Sequence, residues 1–213
     1  MLKGIDISRH NKHMKCLHDI NKYDFVIMKV SEGKGYKDDF YRVYTSILDG
    51  PVKGYYHFAR PELNNPIEEA NNFISAVKPY LNEPTILALD VEDRALSVPF
   101  LDNWCLVFLQ YVESKTGIKP LIYCSASETK RFKKCAAEGA GLWVAKWGKN
   151  KPTKKDIAPW DIWAIWQYTS SAICSAVRVD EDYFNGTVEQ LKKYGVNTNE
   201  EAQNDISTDS AKD

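Results

Sequence analysis

The chain has 213 residues, 44% hydrophobic and 27% charged, with a formal net charge of -1. Length and composition fit one large globular domain whose core needs no disulfide staples. Lysines and arginines are scattered, which excludes the footprint of a nucleic-acid binder, and no apolar run is long enough for membrane insertion.

Short β-branched or aromatic runs of strand length stop at polar residues. In chain order they are Leu2 to Ile7, Phe25 to Val30, Val52 to Phe58, Thr85 to Val91, Pro120 to Cys124, Leu142 to Lys146, Ile162 to Tyr168 and Val177 to Val179. Helical periodicity lies between the early ones, over Asp38 to Leu48, Ile67 to Leu81, Pro99 to Thr116 and Ser127 to Ala137. The third helix puts Phe100, Trp104, Val107, Phe108 and Tyr111 on one face and stops at Gly117. The fourth opens on a serine, with Glu128 in its first turn.

This alternation implies parallel strands with crossover helices. Gly148 to Pro159 carries glycine, two prolines and several lysines, poor material for a helix, so loops are expected to join the last three strands. Eight strands whose helices dwindle after the fifth predict a closed α/β barrel with a simplified second half. The chain is also short of the ~250 residues of a full eightfold barrel. From Asn197 the composition turns polar and aperiodic, so residues 1–195 read as the folded domain and 196–213 as a linker or disordered tail, with a further module expected beyond Asp213.

The five cysteines (Cys16, Cys105, Cys124, Cys135 and Cys174) are odd in number and irregularly spaced. They read as buried thiols made in a reducing compartment, not as a disulfide framework or zinc site. The start Met1-Leu2-Lys3-Gly4-Ile5-Asp6 meets an acid too early for a secretory signal, so a target beyond the membrane needs another means of delivery. No metal or other cofactor is expected. Asp180-Glu181-Asp182 lacks the glycine and distal glutamate of a calcium loop, and His10 with His13 reads as a surface pair. Gly33-Lys34-Gly35 is too short for a phosphate loop, and no Gly-x-Ser-x-Gly elbow offers an esterase nucleophile.

Barrels of this kind gather reactive groups at the C-terminal ends of their strands. Those ends offer Asp6, Lys29, Glu32, Tyr56, His57, Asp90, Glu92, Tyr123, Lys146, Trp147, Gln167, Tyr168, Asp180 and Asp182. Carboxylates among aromatic platforms suit a neutral sugar polymer. Glu32, Tyr56, Tyr123, Trp147 and Gln167 are the candidates to hold it, with Trp147 for stacking, whereas Trp163 and Trp166 read as wall residues. Asp90 and Glu92 are the sharpest feature. Residues i and i+2 of a strand share a face, about 6.6 Å apart along the backbone. Two carboxylates that close are expected to split, one pKa rising and the other staying low, which supplies the acid and the anion of glycoside hydrolysis. A solvated acidic loop is the competing reading, since Asp93-Arg94 follow, but the buried run Thr85-Ile-Leu-Ala-Leu89 delivers the pair to a defined place.

The ordered blocks Gly4-Ile-Asp-Ile-Ser8, Lys29-Val-Ser-Glu-Gly33, Gly54-Tyr-Tyr-His-Phe58, Leu89-Asp-Val-Glu92, Ile122-Tyr-Cys-Ser125, Trp143-Val-Ala-Lys-Trp147, Trp166-Gln-Tyr-Thr-Ser170 and Val179-Asp180 resemble family 25 glycoside hydrolases, the Chalaropsis-type lysozymes of phage endolysins and bacterial autolysins. The resemblance covers roughly residues 2 to 195. It implies a modified TIM-like barrel, (β/α)5(β)3, and N-acetylmuramidase activity on the β-1,4 bond between N-acetylmuramic acid and N-acetylglucosamine of bacterial peptidoglycan. By motif position it implies Glu92 as general acid, Asp90 as stabiliser of the reacting centre or its acetamido group, and Asp6 and Asp180 completing the cluster. The family often has Asp-x-Asn at the last block, where this chain has Asp180-Glu181-Asp182. As an endolysin the protein would wait in the host cytoplasm until the membrane is breached, and the polar tail would lead to a wall-binding module. A bacterial autolysin and a barrel that binds glycan without cutting it are the alternatives. The carboxylate spacing sits at the border between retaining and inverting pairs, so the stereochemical course stays open.

Overall fold

In a computed structural model of the chain, which describes residues 1–14 and 17–195, eight strands close into a barrel. The strands are β1 (Leu2–Ile7), β2 (Phe25–Glu32), β4 (Val52–Phe58), β5 (Ile86–Asp90), β6 (Leu121–Ser125), β7 (Leu142–Ala145), β8 (Ile165–Cys174) and β9 (Val177–Phe184). Neighbours run β1-β9-β8-β7-β6-β5-β4-β2, with β1–β2 pairing to close the ring, and a two-residue strand β3 (Tyr36–Lys37) folds back on β2. The helices are α1 (Leu17–Ile20), α2 (Phe40–Ile47), α3 (Pro66–Val77), α4 (Leu101–Thr116), α5 (Lys133–Ala137), α6 (Lys154–Ile157) and α7 (Val188–Lys193). Cys16 and the tail 196–213 lie outside the described residues; Cys105, Cys124 and Cys135 are buried free thiols and Cys174 is buried.

The start and stop chemistry explains most helix boundaries. Asn65 caps α3 by accepting from the Glu68 N–H, with Pro66 in the first turn where it costs no hydrogen bond. Pro79 ends that helix early, so 78–80 tightens into a 3-10 turn. Gly117, left-handed at φ 70°, stops α4 where the sequence placed its end. The expected helix over Ser127 to Ala137 is instead broken, a 3-10 turn at Thr129–Arg131 and then α5. Within Gly148 to Pro159, expected to be all loop, a capping box between Thr153 and Asp156 nucleates the one-turn α6.

The largest departure from expectation is the last strand. It runs antiparallel between β1 and β8, and is Val177–Phe184 rather than the three residues at its start. Asp180 thus reaches the barrel mouth from the beginning of a descending strand, not from the end of an ascending one. β8 also extends well past Tyr168, so β8 and β9 form a hairpin that rises above the rim.

Inside the barrel, side chains are layered. Phe25, Ile86, Leu121, Ile165 and Phe184 plug the lower end with Leu191 of α7. Gly4 makes room for the plug: a Cβ there would lie 2.3 Å from the Phe25 ring. Above come Ile27, Ala88 and Trp143, and the polar residues sit above those. A second apolar shell, including Val91, Phe73, Phe108 and Val144, joins the outer strand faces to the helices.

Candidate active site

Each catalytic candidate is aimed by the strand that carries it. Asp90 ends β5, where the Ala59 N–H donates to its carbonyl and the Val91 N–H donates to the Tyr123 carbonyl. The ladder therefore grips the pair from both sides, turning Asp90 and Glu92 inward while Val91 packs outward in the apolar shell. Asp6 on β1 lies opposite Asp180 on β9 in register, and Asp182 follows on the same face, facing Gly4 and Gln167. Glu181 alternates to the outside, where it meets Lys3, Tyr23 and Tyr168. Asp180-Glu181-Asp182 therefore cannot converge on one ion.

The mouth holds a cleft of about 310 Å³ lined by Asp6, Tyr56, Asp90, Glu92, Tyr123, Trp143, Trp147, Gln167, Ser170 and Asp180. A second chamber of about 330 Å³, with Val91, Leu96, Ala126 and Ala145 in its wall, shares Glu92, Tyr123 and Trp147 with the first. Glu92 thus stands on the partition between an acidic chamber and a more apolar one. Gln167 ties the acidic side together: its Nε2 donates to Asp6 Oδ2 at 2.8 Å, while Tyr123 OH and Trp147 Nε1 each donate to its Oε1 at 3.1 Å. Trp147 remains 66% exposed, its indole held upright at the rim. Trp147→Ala is expected to raise KM roughly three- to tenfold, the worth of one aromatic face, with kcat changed less; initial rates on glycan chains check it, and an unaltered KM would remove Trp147 from the binding surface.

Sequence reading did not single out Arg60, Trp143 or Ser170. Arg60 clamps Glu32, Nε and Nη2 reaching Oε1 at 2.7 and 2.6 Å, while Lys29 Nζ reaches Oε2 at 2.7 Å. Both Glu32 oxygens are thus engaged and the side chain lies outside the acidic cleft's lining. The Arg60 backbone N–H donates to Glu69, which also binds His57 Nε2 at 2.8 Å, and His57 Nδ1 bonds Ser31 Oγ at 2.8 Å. This buried relay fixes the loop that carries Arg60. The signal for Arg60 was its place two residues past the end of β4, on the face of Phe58, whose ring packs against both cations.

The electrostatics depart from the simple split expected of the pair. Burial and the Glu92 charge push Asp90 well up, and burial with Asp93 and Asp180 also raises Glu92; Lys29 opposes both shifts. Asp6 rises through burial and the charges of Asp182 and Asp180, against the Gln167 hydrogen bond. Burial takes Asp180 to about 6 and Asp182 to about 7. Glu32 is the exception: burial alone would raise it, but Lys29 and Arg60 outweigh that and hold it low. Too many carboxyls share one dry mouth for all to ionise, and the cluster holds protons near neutrality. Asp90 Oδ1 and Asp182 Oδ2 are buried with no hydrogen-bond partner. Proton-holding acids beside an unpaired carboxyl oxygen, in a cleft with an aromatic rim, are the groups that cleavage of a glycosidic bond calls for.

The comparisons place the chain more narrowly. The sequence pattern of glycosyl hydrolases family 25 matches residues 5–177, and the chain belongs to that family. It is 30% identical over 193 residues to Lysozyme M1 of Streptomyces globisporus, aligning 82% of this chain with 64% of that protein, so it spans a little under two thirds of that relative's length. The crystal structure of the lysozyme from Streptomyces coelicolor superposes with a TM-score of 0.79 at 25% identity, covering 92% of this chain and 98% of that one. The catalytic domain of endolysin ply40, from bacteriophage P40 of Listeria monocytogenes, gives 0.70 at 28% identity, covering 90% and 97%.

Proposed function

We propose that the protein is a lysozyme, an N-acetylmuramidase that cuts the β-1,4 bond between N-acetylmuramic acid and N-acetylglucosamine, and that it serves as a phage endolysin. The observation that carries the activity is Glu92, an acid with a raised pKa on the partition between two sugar-sized chambers. The bond to be cut spans that partition, and Glu92 protonates the leaving oxygen as it breaks. The chamber holding Asp6, Asp90 and Asp180 receives the developing positive charge. The unpartnered Asp90 oxygen is placed to accept the N–H of the sugar's acetamido group, which turns that group's carbonyl towards the reacting carbon. The acetamido carbonyl oxygen bonds to the reacting carbon from the face opposite the departing oxygen, closing a ring. Glu92 then takes a proton from water, whose oxygen displaces the carbonyl oxygen and reopens that ring, so the product keeps the β configuration. Asp6 is held by Gln167 and shapes the charge around that step.

The likeness to the ply40 catalytic domain supports the endolysin role. In that role the enzyme is made in the host cytoplasm and reaches the wall after the membrane is breached. An autolysin with the same chemistry is the second reading. The test digests several purified wall preparations, with mass spectrometry of the fragments and NMR of the first-formed anomer. Muramic acid at the new reducing ends, initially β, is the expected result. New free amino groups without reducing ends would mean a peptidase or amidase, binding without release would mean a lectin-like barrel, and an α anomer would exclude the retaining route.

A further inference from the structure

Where other barrel strands are covered by helices, the outer face of the β8–β9 hairpin has no long helix against it among the described residues, and its half-buried Tyr168 and Tyr183 line a groove. β7 reaches β8 through a loop holding only the single turn α6, and β8 reaches β9 through a tight turn. The alternation that points Gln167 into the mouth points Trp166 and Tyr168 outward, beside Tyr183 of β9. Tyr168 and Tyr183, half-buried and stacked at 4.6 Å, make the floor, and the nearly buried Trp166 backs them within 5.9 Å of both. The loop carrying Trp147, Lys149 and Lys151 walls one side, held by the Gly148 N–H on the Tyr168 carbonyl at 2.8 Å and by the Trp166 indole on the Lys146 carbonyl. The groove so formed measures about 570 Å³ and meets the catalytic cleft at Trp147, which lines both.

Two features identify an occupant. The groove leaves the cleft over the rim and runs down the side of the barrel, so it suits a branch of the substrate and not a continuation of the strand lying across the mouth. Lys149 and Lys151 are exposed, and neither has an ion-pair partner among the described residues. A neutral sugar has no use for two free cations, whereas a peptide with free carboxylates has. We propose that the groove takes the peptide stem carried by the muramyl unit of the substrate, its aromatic floor packing the stem and Lys149 and Lys151 pairing with the stem carboxylates. This rests on the muramidase reading above.

The test measures kcat/KM for release of reducing ends from peptide-bearing glycan strands and from the same strands stripped of peptide by an amidase. Wild type is expected to favour the peptide-bearing strands about fivefold, the worth of two exposed charge pairs. In Lys149→Glu/Lys151→Glu that ratio is expected to fall to 1 or below. A ratio unmoved by the double substitution, or equal losses on both substrates, would overturn the proposal. If wild type releases nothing from either strand, the muramidase reading fails and direct binding decides the groove. A soluble muramyl peptide should then shift the indole N–H signals of Trp147 and Trp166 in wild type and not in the double variant; absence of any shift would also refute the groove. Displacement by a glycerol-phosphate polymer, with no response to muramyl peptide, would instead assign the lysines to a wall polyanion.

Discussion

Glu92→Gln is expected to lower the release of reducing ends from purified cell walls by roughly a thousandfold, the middle of the range that one positioned acid contributes. The fold should survive. Glu92 is only partly buried and makes no hydrogen bond that the fold depends on, and its amide isostere fills the same space. Stability should even rise slightly. A carboxyl whose folded pKa lies above its unfolded value holds a proton that the unfolded chain releases, so as pH climbs above about 4 it costs the folded state free energy. Glutamine removes that cost along with the chemistry. A variant that melts no lower than wild type at pH 7 yet releases almost nothing separates catalysis from folding. One that keeps a tenth of the wild-type rate would dismiss Glu92 as the acid and move attention to Asp180, the other raised carboxyl open to the cleft.

The second large effect lies beneath the cleft. Asp182 is fully buried; its Oδ1 accepts from Trp143 Nε1 at 2.8 Å, while its Oδ2 faces the Asp6 carboxyl, and a proton shared between those two acids is the partner left to it. Burial, with Asp180 and Glu181 nearby, takes its pKa to about 7 against an unfolded value near 4. The penalty is absent below about pH 4, where Asp182 is protonated in both states, grows between pH 4 and 7, and is full above 7. Three pH units amount to about 4 kcal/mol for an isolated group, and sharing among coupled acids brings this to roughly 2–4 kcal/mol. Asp182→Asn keeps the acceptor for Trp143 and offers an N–H towards Asp6 at every pH. It is therefore expected to raise Tm at pH 8 by roughly 5–12 °C, with the gain shrinking towards zero near pH 4. Melting curves across that range decide it. A gain that does not vary with pH would show that Asp182 is not the group responsible.

Much of this molecule could be read from its sequence for one reason: buried strands leave a local signature. Thr85-Ile-Leu-Ala-Leu89 is apolar because both faces are covered, and it puts Asp90 and Glu92 where they are found. Asp6 was less legible, since an acid near the end of the short strand Leu2–Ile7 also reads as a turn cap. The direction of β9 was hidden because its turn is built from Ser175 and Ala176, both at positive φ, instead of the Asn-Gly or Gly-Gly that marks such a hairpin. The short α6 did carry a signal, Thr153-x-x-Asp156, which the prolines and lysines around it masked. The roles of Arg60 and of Asp182, the latter legible only as one more strand-end acid, were hidden for a different reason. Their importance comes from partners far along the chain, Glu32 for one and Trp143 for the other, and no local pattern reports a contact of that range. Glu32 itself was legible as a strand-end acid but not as one already bound on both oxygens.

The antiparallel last strand also governs when the molecule can work. β1, the first strand of the barrel, is sealed against β9, its eighth, and Asp6 and Asp180 meet across that seam from opposite ends of the domain. Contacts between such distant segments form late, because a long loop must be closed before they repay it. A chain still emerging from the ribosome already displays Asp90 and Glu92, yet its cleft lacks a wall, its Asp6 has neither Gln167 nor Asp180 to face, and its polar interior stands open to water. The ordinary carboxylate pKa values of an open, wetted site then apply, and Glu92 gives up its proton. On the muramidase reading, a chain that ends before β9 is therefore expected to release no reducing ends from glycan, the complete barrel being what assembles the acid cluster.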